Sequence, residues 1–202
     1  MMRTGIIRRI DDLGRVVIPR EIRRTLHLRE GDPLEIFVGV EGEVIFKKYS
    51  PIGELGNFAK EYVDSLHETI GHIAMIADRD VIIAVAGANK REFLSKAIGN
   101  AVERVLEERT TLIMNDLQVA DDENVHVIQT DGQEYTIKSQ VIAPIITQGD
   151  PIGAVIIVTK NVGVELGDIE VKLAETAVLE DIIAVVKSRL LLIRLKPGSR
   201  TQ

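Results

Sequence analysis

Residues 4–26 read Thr4-Gly5-Ile6-Ile7-Arg8-Arg9-Ile10-Asp11-Asp12-Leu13-Gly14-Arg15-Val16-Val17-Ile18-Pro19-Arg20-Glu21-Ile22-Arg23-Arg24-Thr25-Leu26. The stretch predicts short strands over 4–10 and 15–18, separated by a turn in which Gly14 can adopt a positive φ. Pro19 suits the start of a helix over 19–26. Two further strands, 34–40 and 43–49, flank a Glu-Gly turn. The first 50 residues therefore predict the order β-β-α-β-β.

Arginine is concentrated in this stretch. Residues 1–29 hold eight arginines and three acidic residues, whereas the 202-residue chain carries a net charge of −6. On the predicted helix, Arg20, Arg23, Arg24 and His27 share one face, opposite Ile22 and Leu26. A basic block in an acidic chain is typical of a phosphate-facing surface, but a solvated surface has the same pattern. Charge alone leaves both interpretations open.

The size of the β-β-α-β-β unit predicts association. A unit of 50 residues is near the size at which a single hydrophobic core becomes marginal. The chain contains no cysteine, so disulfides, thiolate metal sites and cysteine nucleophiles are excluded as means of stabilisation or catalysis. We therefore expect residues 1–50 to form an obligate oligomer.

Residues 51–70 predict a linker followed by a helix that joins dimers into a homotetramer. Leu55, Ala59, Tyr62 and Leu66 continue the spacing of three and four residues that begins at Ile52, as in a coiled-coil seam. The pattern lasts barely two heptads. Packing of this helix on its own domain is therefore an equally good interpretation.

Residues 71–195 predict a second domain, and residues 196–202 a tail. The pattern indicates helices over 90–108 and about 168–195, and strands over 73–77, 81–85, 125–129, 135–146 and 152–158. Antiparallel strands bracketed by helices are typical of an α+β sensor domain. The apolar stretch 182–195 should be buried against another helix or another chain.

Motifs for catalysis are absent from the sequence. It has no phosphate-binding glycine loop ending in Lys-Ser/Thr, no Gly-x-Ser-x-Gly and no His-Glu-x-x-His, and its four histidines are scattered. The acidic run Asp121-Asp122-Glu123 is typical of a solvated loop. We therefore expect no enzymatic activity, no metal and no cofactor. No apolar run reaches the length of a signal peptide or a membrane span, which predicts a cytoplasmic protein.

The quoted stretch resembles the AbrB family of bacterial transition-state regulators. The resemblance covers residues 4–19 and 21–26, and it continues through Leu34-Glu35-Ile36-Phe37-Val38 and Lys47-Lys48-Tyr49. Residues 51 to about 180 resemble the GAF-like second domain of a sporulation regulator that shares this first domain. Asp78-Arg79-Asp80 and residues 149–155 carry that second resemblance.

The resemblance implies a swapped-hairpin dimer that binds double-stranded DNA. In the family, arginines that match Arg8, Arg15, Arg23 and Arg24 contact DNA; Arg9 and Arg20 extend the basic surface in this sequence. The implied function is a nucleoid-associated transcription regulator, activator or repressor, of sporulation or transition-state genes. The GAF-like domain would sense a small molecule of unknown identity or hold the oligomer together.

Three alternatives remain. Swapped-hairpin domains also occur in antitoxins, which usually carry a short, disordered, acidic tail. Here that tail is replaced by residues 51–202, which are apolar and periodic. A DNA-architectural protein without ligand sensing is the second alternative. The third is a metabolite-binding enzyme subunit, which no motif of the sequence supports.

Overall fold

The computed structural model describes residues 6–26, 28, 30–31, 34–40, 42–50, 56–117, 123–129, 136–147 and 149–179. The chain divides into two compact units, Met1–Tyr49 and Ser50–Gln202. The predicted α+β class is confirmed, because the second unit holds a five-stranded antiparallel sheet flanked by helices. None of the described helices is long and apolar enough to cross a membrane.

The described residues of the first unit form one short helix and one hairpin. The helix is α1 (Arg20–Thr25), and the hairpin pairs β1 (Leu34–Val38) with β2 (Val44–Lys48), Leu34 lying opposite Lys48. Gly42 has a φ of +85° in the connecting turn, and its N–H donates to the Gly39 carbonyl at 3.1 Å. Both the helix and the hairpin agree with the sequence pattern.

The two strands predicted before α1 are not formed. Residues 6–10 and 15–18 carry no regular secondary structure, and residues 4–5 lie outside the described part of the chain. A strand needs a neighbour for its backbone N–H and C=O groups. Among the described residues, these segments have one such backbone contact, at the turn, where the Asp11 N–H donates to the Arg15 carbonyl at 3.0 Å.

The second unit alternates helices and strands. Its elements are α2 (Gly56–Ile70), β3 (Ile73–Ala77), β4 (Ile82–Ala86), α3 (Lys90–Phe93), α4 (Asn100–Glu108), β5 (Leu112–Met114), a 3₁₀ turn (Glu123–Val125), β6 (Ser139–Thr147), β7 (Asp150–Thr159) and α5 (Asp168–Leu179). The five strands form one antiparallel sheet in the order β4-β3-β7-β6-β5.

Both faces of this sheet are covered, which explains why β3 and β4 are apolar at every position. Ala74 and Ile76 face the cluster that contains α2 and α5, while Met75 and Ala77 face the cluster that contains α3 and α4. Side chains alternate between the two faces of a strand, so a sheet covered on both faces needs apolar residues throughout. The second unit therefore has a large interior of its own.

Helix α2 packs on its own domain, which was one of the two interpretations of its pattern. Ala59, Val63 and Leu66 are buried in the cluster on that face of the sheet, and Tyr62 is half-buried beside it. Leu55 lies outside the described residues. This corrects the seam: Ala59 and Leu66 are spaced for a partner helix, but the sheet of their own domain occupies them.

The continuous helix predicted over 90–108 is wrong. It is interrupted between Phe93 and Asn100, and Ser95 adopts a φ of +62°. The Ser95 N–H donates to the Ile82 carbonyl at 2.8 Å, and the Ile82 N–H donates to the Lys96 carbonyl at 2.9 Å. The unpaired edge of β4 thus captures residues that would otherwise continue the helix.

The remaining differences lie in short segments. Strand β5 was not predicted, and the strand predicted over 125–129 is a 3₁₀ turn followed by a single bridge between Ile98 and Ile128. Strand β6 begins at Ser139, later than the predicted residue 135, which lies outside the described part. Helix α5 is described to Leu179, so the predicted burial of residues 182–195 lies outside the described residues.

We expect Gly99→Ala to destabilise the second unit. A Cβ at residue 99 would overlap the carbonyl group of His126, whose carbon lies 2.8 Å away. That backbone cannot move freely, because the Gly99 N–H donates to the Val127 carbonyl at 2.9 Å. Overpacking costs about 1–3 kcal/mol, which should lower the melting temperature in circular dichroism by about 3–10 °C.

Gly167→Ala is the matched control. Gly167 precedes α5 as Gly99 precedes α4, but a Cβ at residue 167 would meet nothing nearer than 4.0 Å. Its melting temperature should stay close to that of the parent. Equal melting temperatures for the two variants would contradict the packing described here.

Candidate nucleic-acid interface

All six arginines predicted to contact DNA are exposed on the first unit. Arg8 and Arg9 precede the turn at 11–15, Arg15 ends that turn, and Arg20, Arg23 and Arg24 lie on α1. Arg3 and Arg29 lie outside the described residues. The basic block of the sequence is therefore a solvent-exposed surface in the structure.

Helix α1 is built so that its arginines face outward. Pro19 is buried and precedes the helix with a ψ of 148°, and the Arg23 N–H donates to the Pro19 carbonyl at 3.0 Å. Ile22 is half-buried, whereas Leu26, which the helical pattern placed on the same inward face, is 52% exposed. Glu21 in the first turn and Arg23 and Arg24 in the last have the signs that the helix dipole favours.

Hydrogen bonds within the turn before α1 fix the position of Arg15. Some join backbone groups of the turn, and the others involve the Asp11 carboxylate. The Gly14 N–H donates to the Asp11 carbonyl at 3.0 Å, with Gly14 at a φ of +74° as its sequence position predicted. Asp11 Oδ1 accepts from the N–H groups of Leu13 at 3.0 Å and Arg15 at 2.7 Å. Arg15 Nε donates to Asp11 Oδ2 at 2.8 Å.

These contacts favour the ionised form of Asp11. The Arg15 backbone N–H, then the Arg15 side chain and the Leu13 N–H, lower the pKa of Asp11 below its ordinary value. Within the described part of the chain, Arg15 alone among these six arginines forms an ion pair, and its partner is Asp11. The sequence pattern predicted Asp11 only as part of a turn, although an aspartate four residues before an arginine across a glycine turn could have indicated this contact.

An apolar groove of about 310 Å³ lies beside this surface. Its lining includes Val16, Pro19, Ile22 and Phe46, together with Arg8. Many apolar side chains of the first unit are exposed, among them Ile7, Val17, Leu26, Ile36, Phe37, Val38, Val44, Ile45 and Phe46. In one copy of the chain, the apolar side of this unit is not covered.

Three polar side chains of the second unit, the buried Ser139 and Gln140 and the half-buried Asn115, hydrogen-bond to the backbone of loops. Gln140 Nε2 donates to the Val125 carbonyl at 2.9 Å, and Ser139 Oγ donates to the Val164 carbonyl at 2.7 Å. Asn115 donates to and accepts from the Leu166 backbone. Within the described residues, no three His, Asp or Glu side chains are grouped as metal ligands.

The comparisons with known proteins cover both units. The family described as stage V sporulation protein T C-terminal, transcription factor, matches residues 54–179. The family described as antidote-toxin recognition MazE, bacterial antitoxin, matches residues 7–53. The boundary between the two matches is close to the division between the two compact units.

Two curated proteins of Bacillus subtilis (strain 168) are similar in sequence. Stage V sporulation protein T is 52% identical over 177 residues, which cover 88% of this chain and 94% of that protein. Transition state regulatory protein AbrB is 59% identical over 51 residues, which cover 25% of this chain and 52% of that protein. The resemblance of the N-terminal stretch to the AbrB family is therefore confirmed.

The GAF-like fold of the second unit is also confirmed. The crystal structure of the GAF domain from Acinetobacter phosphoenolpyruvate-protein phosphotransferase superposes with a TM-score of 0.54 at 12% identity, covering 68% of this chain and 85% of that one. At this identity the likeness shows the fold alone. From the family match over residues 54–179 and the relative at 52% identity, we conclude that the chain belongs to the stage V sporulation protein T family.

Proposed function

We propose that this chain is a DNA-binding transcription regulator of sporulation or transition-state genes, and that it acts in the cytoplasm on the nucleoid. The observation that carries the proposal is the set of six exposed arginines on the first unit of a chain that is acidic as a whole. Family membership supports the same function, since the family is described as one of transcription factors. The same membership supports a protein without enzymatic activity.

The arginines divide by their position. Arg23 and Arg24 lie on a helix too short to enter the major groove as a long recognition helix, and we assign them to phosphate oxygens. Arg15 ends a constrained turn, and we assign it to base edges or the groove floor. Sequence preference would then depend on groove shape and deformability as well as on direct base contacts.

A homodimer through residues 1–50 is part of the proposal. Its support is the exposed apolar side of the first unit, where β1 and β2 offer Ile36 and Phe46 on one face and Phe37 and Ile45 on the other. Burying an exposed side chain of this size contributes about 1.5–3 kcal/mol. A second copy would also give residues 6–10 and 16–18 strand partners, which they do not have among the described residues.

The proposed tetramer does not use the whole predicted seam. Ala59 and Leu66 are buried in their own domain, so substitutions there would damage the domain before they affected assembly. The proposed role of the GAF-like domain is ligand sensing or assembly. Its ligand is unknown, since its cores are lined by aliphatic side chains without a chemical signature.

An antitoxin is the second candidate function. The observation that favours it is the match of residues 7–53 to a family described as a bacterial antitoxin. The match of residues 54–179 to a transcription-factor family speaks against it. Mass spectrometry after purification from the native cell separates the two: a small toxin present in equal amounts would support the antitoxin and overturn the regulator.

Arg23→Ala should weaken DNA binding equally for all sequences. A dimer that neutralises about six phosphates should lose affinity with a slope of log K against log salt near −5. The substitution removes one phosphate contact from each protomer, so the slope should fall in magnitude by about two. Gel retardation between about 50 and 150 mM salt measures this change.

Arg91→Ala is the control for charge. Arg91 is exposed on α3 of the acidic second unit and loses the same charge. It should leave the slope unchanged. A folded Arg23→Ala protein that retards DNA as the parent does at every salt concentration would count against the proposed interface.

Ile36→Asp should abolish the N-terminal dimer and DNA binding together. Ile36 is 64% exposed in one chain and lies beside Phe46 on the hairpin. A carboxylate there would be desolvated in a dimer contact. Light scattering should report a smaller particle, and gel retardation should disappear.

Val162→Asp gives the comparison, because Val162 is 80% exposed in the second unit. It should keep both the parent mass and DNA binding. If Ile36→Asp retained the parent mass and affinity, the dimer surface would lie elsewhere.

A further inference from the structure

The turn that ends at Arg15 places a carboxylate in the middle of the proposed DNA surface. Asp11 is 35% exposed at its side chain and Arg15 is 69% exposed. A negative charge at this position repels phosphates, so it lowers the affinity of the surface for any DNA. Asp11 lowers DNA affinity in this way, so we expect it to contribute something else to binding. Its hydrogen bonds to the turn and to Arg15 indicate what it contributes.

The two oxygens of Asp11 have different tasks. Oδ1 accepts from the backbone N–H groups of Leu13 and Arg15, which fixes the turn. Oδ2 accepts from Arg15 Nε at 2.8 Å, which fixes the direction of the guanidinium. The carboxylate therefore links the backbone of the turn to the far end of the arginine side chain.

The contact through Nε leaves the distal edge of the guanidinium available. An arginine fork pairs with guanine O6 and N7 through two parallel hydrogen bonds, and this pairing needs a fixed plane. A phosphate contact has no such requirement, because it depends mainly on charge. The contact at Nε thus favours recognition of a base edge by Arg15. It also offsets part of the positive charge with which Arg15 would bind a phosphate.

We propose that Asp11 is a positioning residue that aims the distal edge of Arg15 at a base edge, so that it increases sequence preference and reduces non-specific affinity. The proposal rests on the proposed DNA-binding function and deepens it. It also gives the Asp11 carboxylate a role opposite to that of the surrounding arginines, which serve affinity for all sequences.

Asp11→Asn separates the two tasks of the carboxylate. The asparagine Oδ1 can still accept from Leu13 and Arg15, so the turn is kept, but its Nδ2 is a donor facing the donor Nε of Arg15. Asp12→Asn is the matched control. It changes the charge by the same amount at the next residue, and Asp12 makes no ion pair within the described part of the chain.

The experiment uses the full chain and two duplexes. One is selected by the parent protein from a randomised duplex library, and the other is a shuffled sequence of the same base composition. Both asparagine variants should bind the shuffled duplex about two- to fourfold more tightly at low salt. Asp11→Asn alone should lower the ratio of selected to shuffled affinity, by about three- to tenfold for two copies of an exposed pair.

A cycle with Arg15→Lys guards against a variant that merely folds poorly. Lysine keeps the charge but has no fork, so Arg15→Lys should lose the same preference and keep the salt slope. In that background, Asp11→Asn should have no more effect than Asp12→Asn. A purely structural role of Asp11 would instead lower affinity for both duplexes, and the loss would persist beside Arg15→Lys.

The outcomes distinguish this proposal from the proposed function. A parent protein that binds neither duplex would overturn both. A parent that binds DNA, with equal ratios for Asp11→Asn and Asp12→Asn, would overturn the positioning role and leave DNA binding intact. A parent that binds DNA but enriches no sequence from the library would also overturn the positioning role, and it would favour a DNA-architectural protein.

Discussion

The first unit buries almost nothing within a single copy of the chain. Pro19 is the one buried residue among the described residues of Met1–Tyr49, while isoleucine, valine and phenylalanine side chains lie exposed around it. A folded state of this size survives only if that apolar surface is removed from water. The proposed dimer follows from this constraint.

The second unit is under no such constraint. Its sheet is covered on both faces, and the buried Gln140 and Ser139 hold its loops by hydrogen bonds to backbone carbonyls. It can therefore fold on its own interior and offer a stable support for a first unit that needs a partner. The two units thus differ in physical character as well as in family match.

The sequence predicted those features that depend on local chemistry. Gly14 has the positive φ expected of its turn, the hairpin of β1 and β2 forms around Gly42, and the uninterrupted apolar runs become strands of a doubly covered sheet. Arg23 and Arg24 are exposed on α1 as their helical spacing indicated. For these residues, local preference and tertiary structure agree.

The features that the sequence did not predict depend on contacts with residues far away in the chain or with a second copy. Residues 6–10 and 15–18 have strand patterns, but no strand pairs with them among the described residues. Ser95 leaves a helical pattern because the edge of β4 binds its backbone. Ala59 and Leu66 have a spacing that serves a coiled coil and a sheet equally well. The Asp11–Arg15 contact depends on how a turn folds, which residue types alone do not determine.

The measurement that tests the account most directly is footprinting of the pure, full-length protein on genomic DNA fragments at about 100 mM salt. Phosphate-directed arginines on a dimer predict discrete protected segments that weaken steeply as salt is raised. A folded protein that protects no segment at any salt concentration would contradict the central claim that the N-terminal arginines bind DNA.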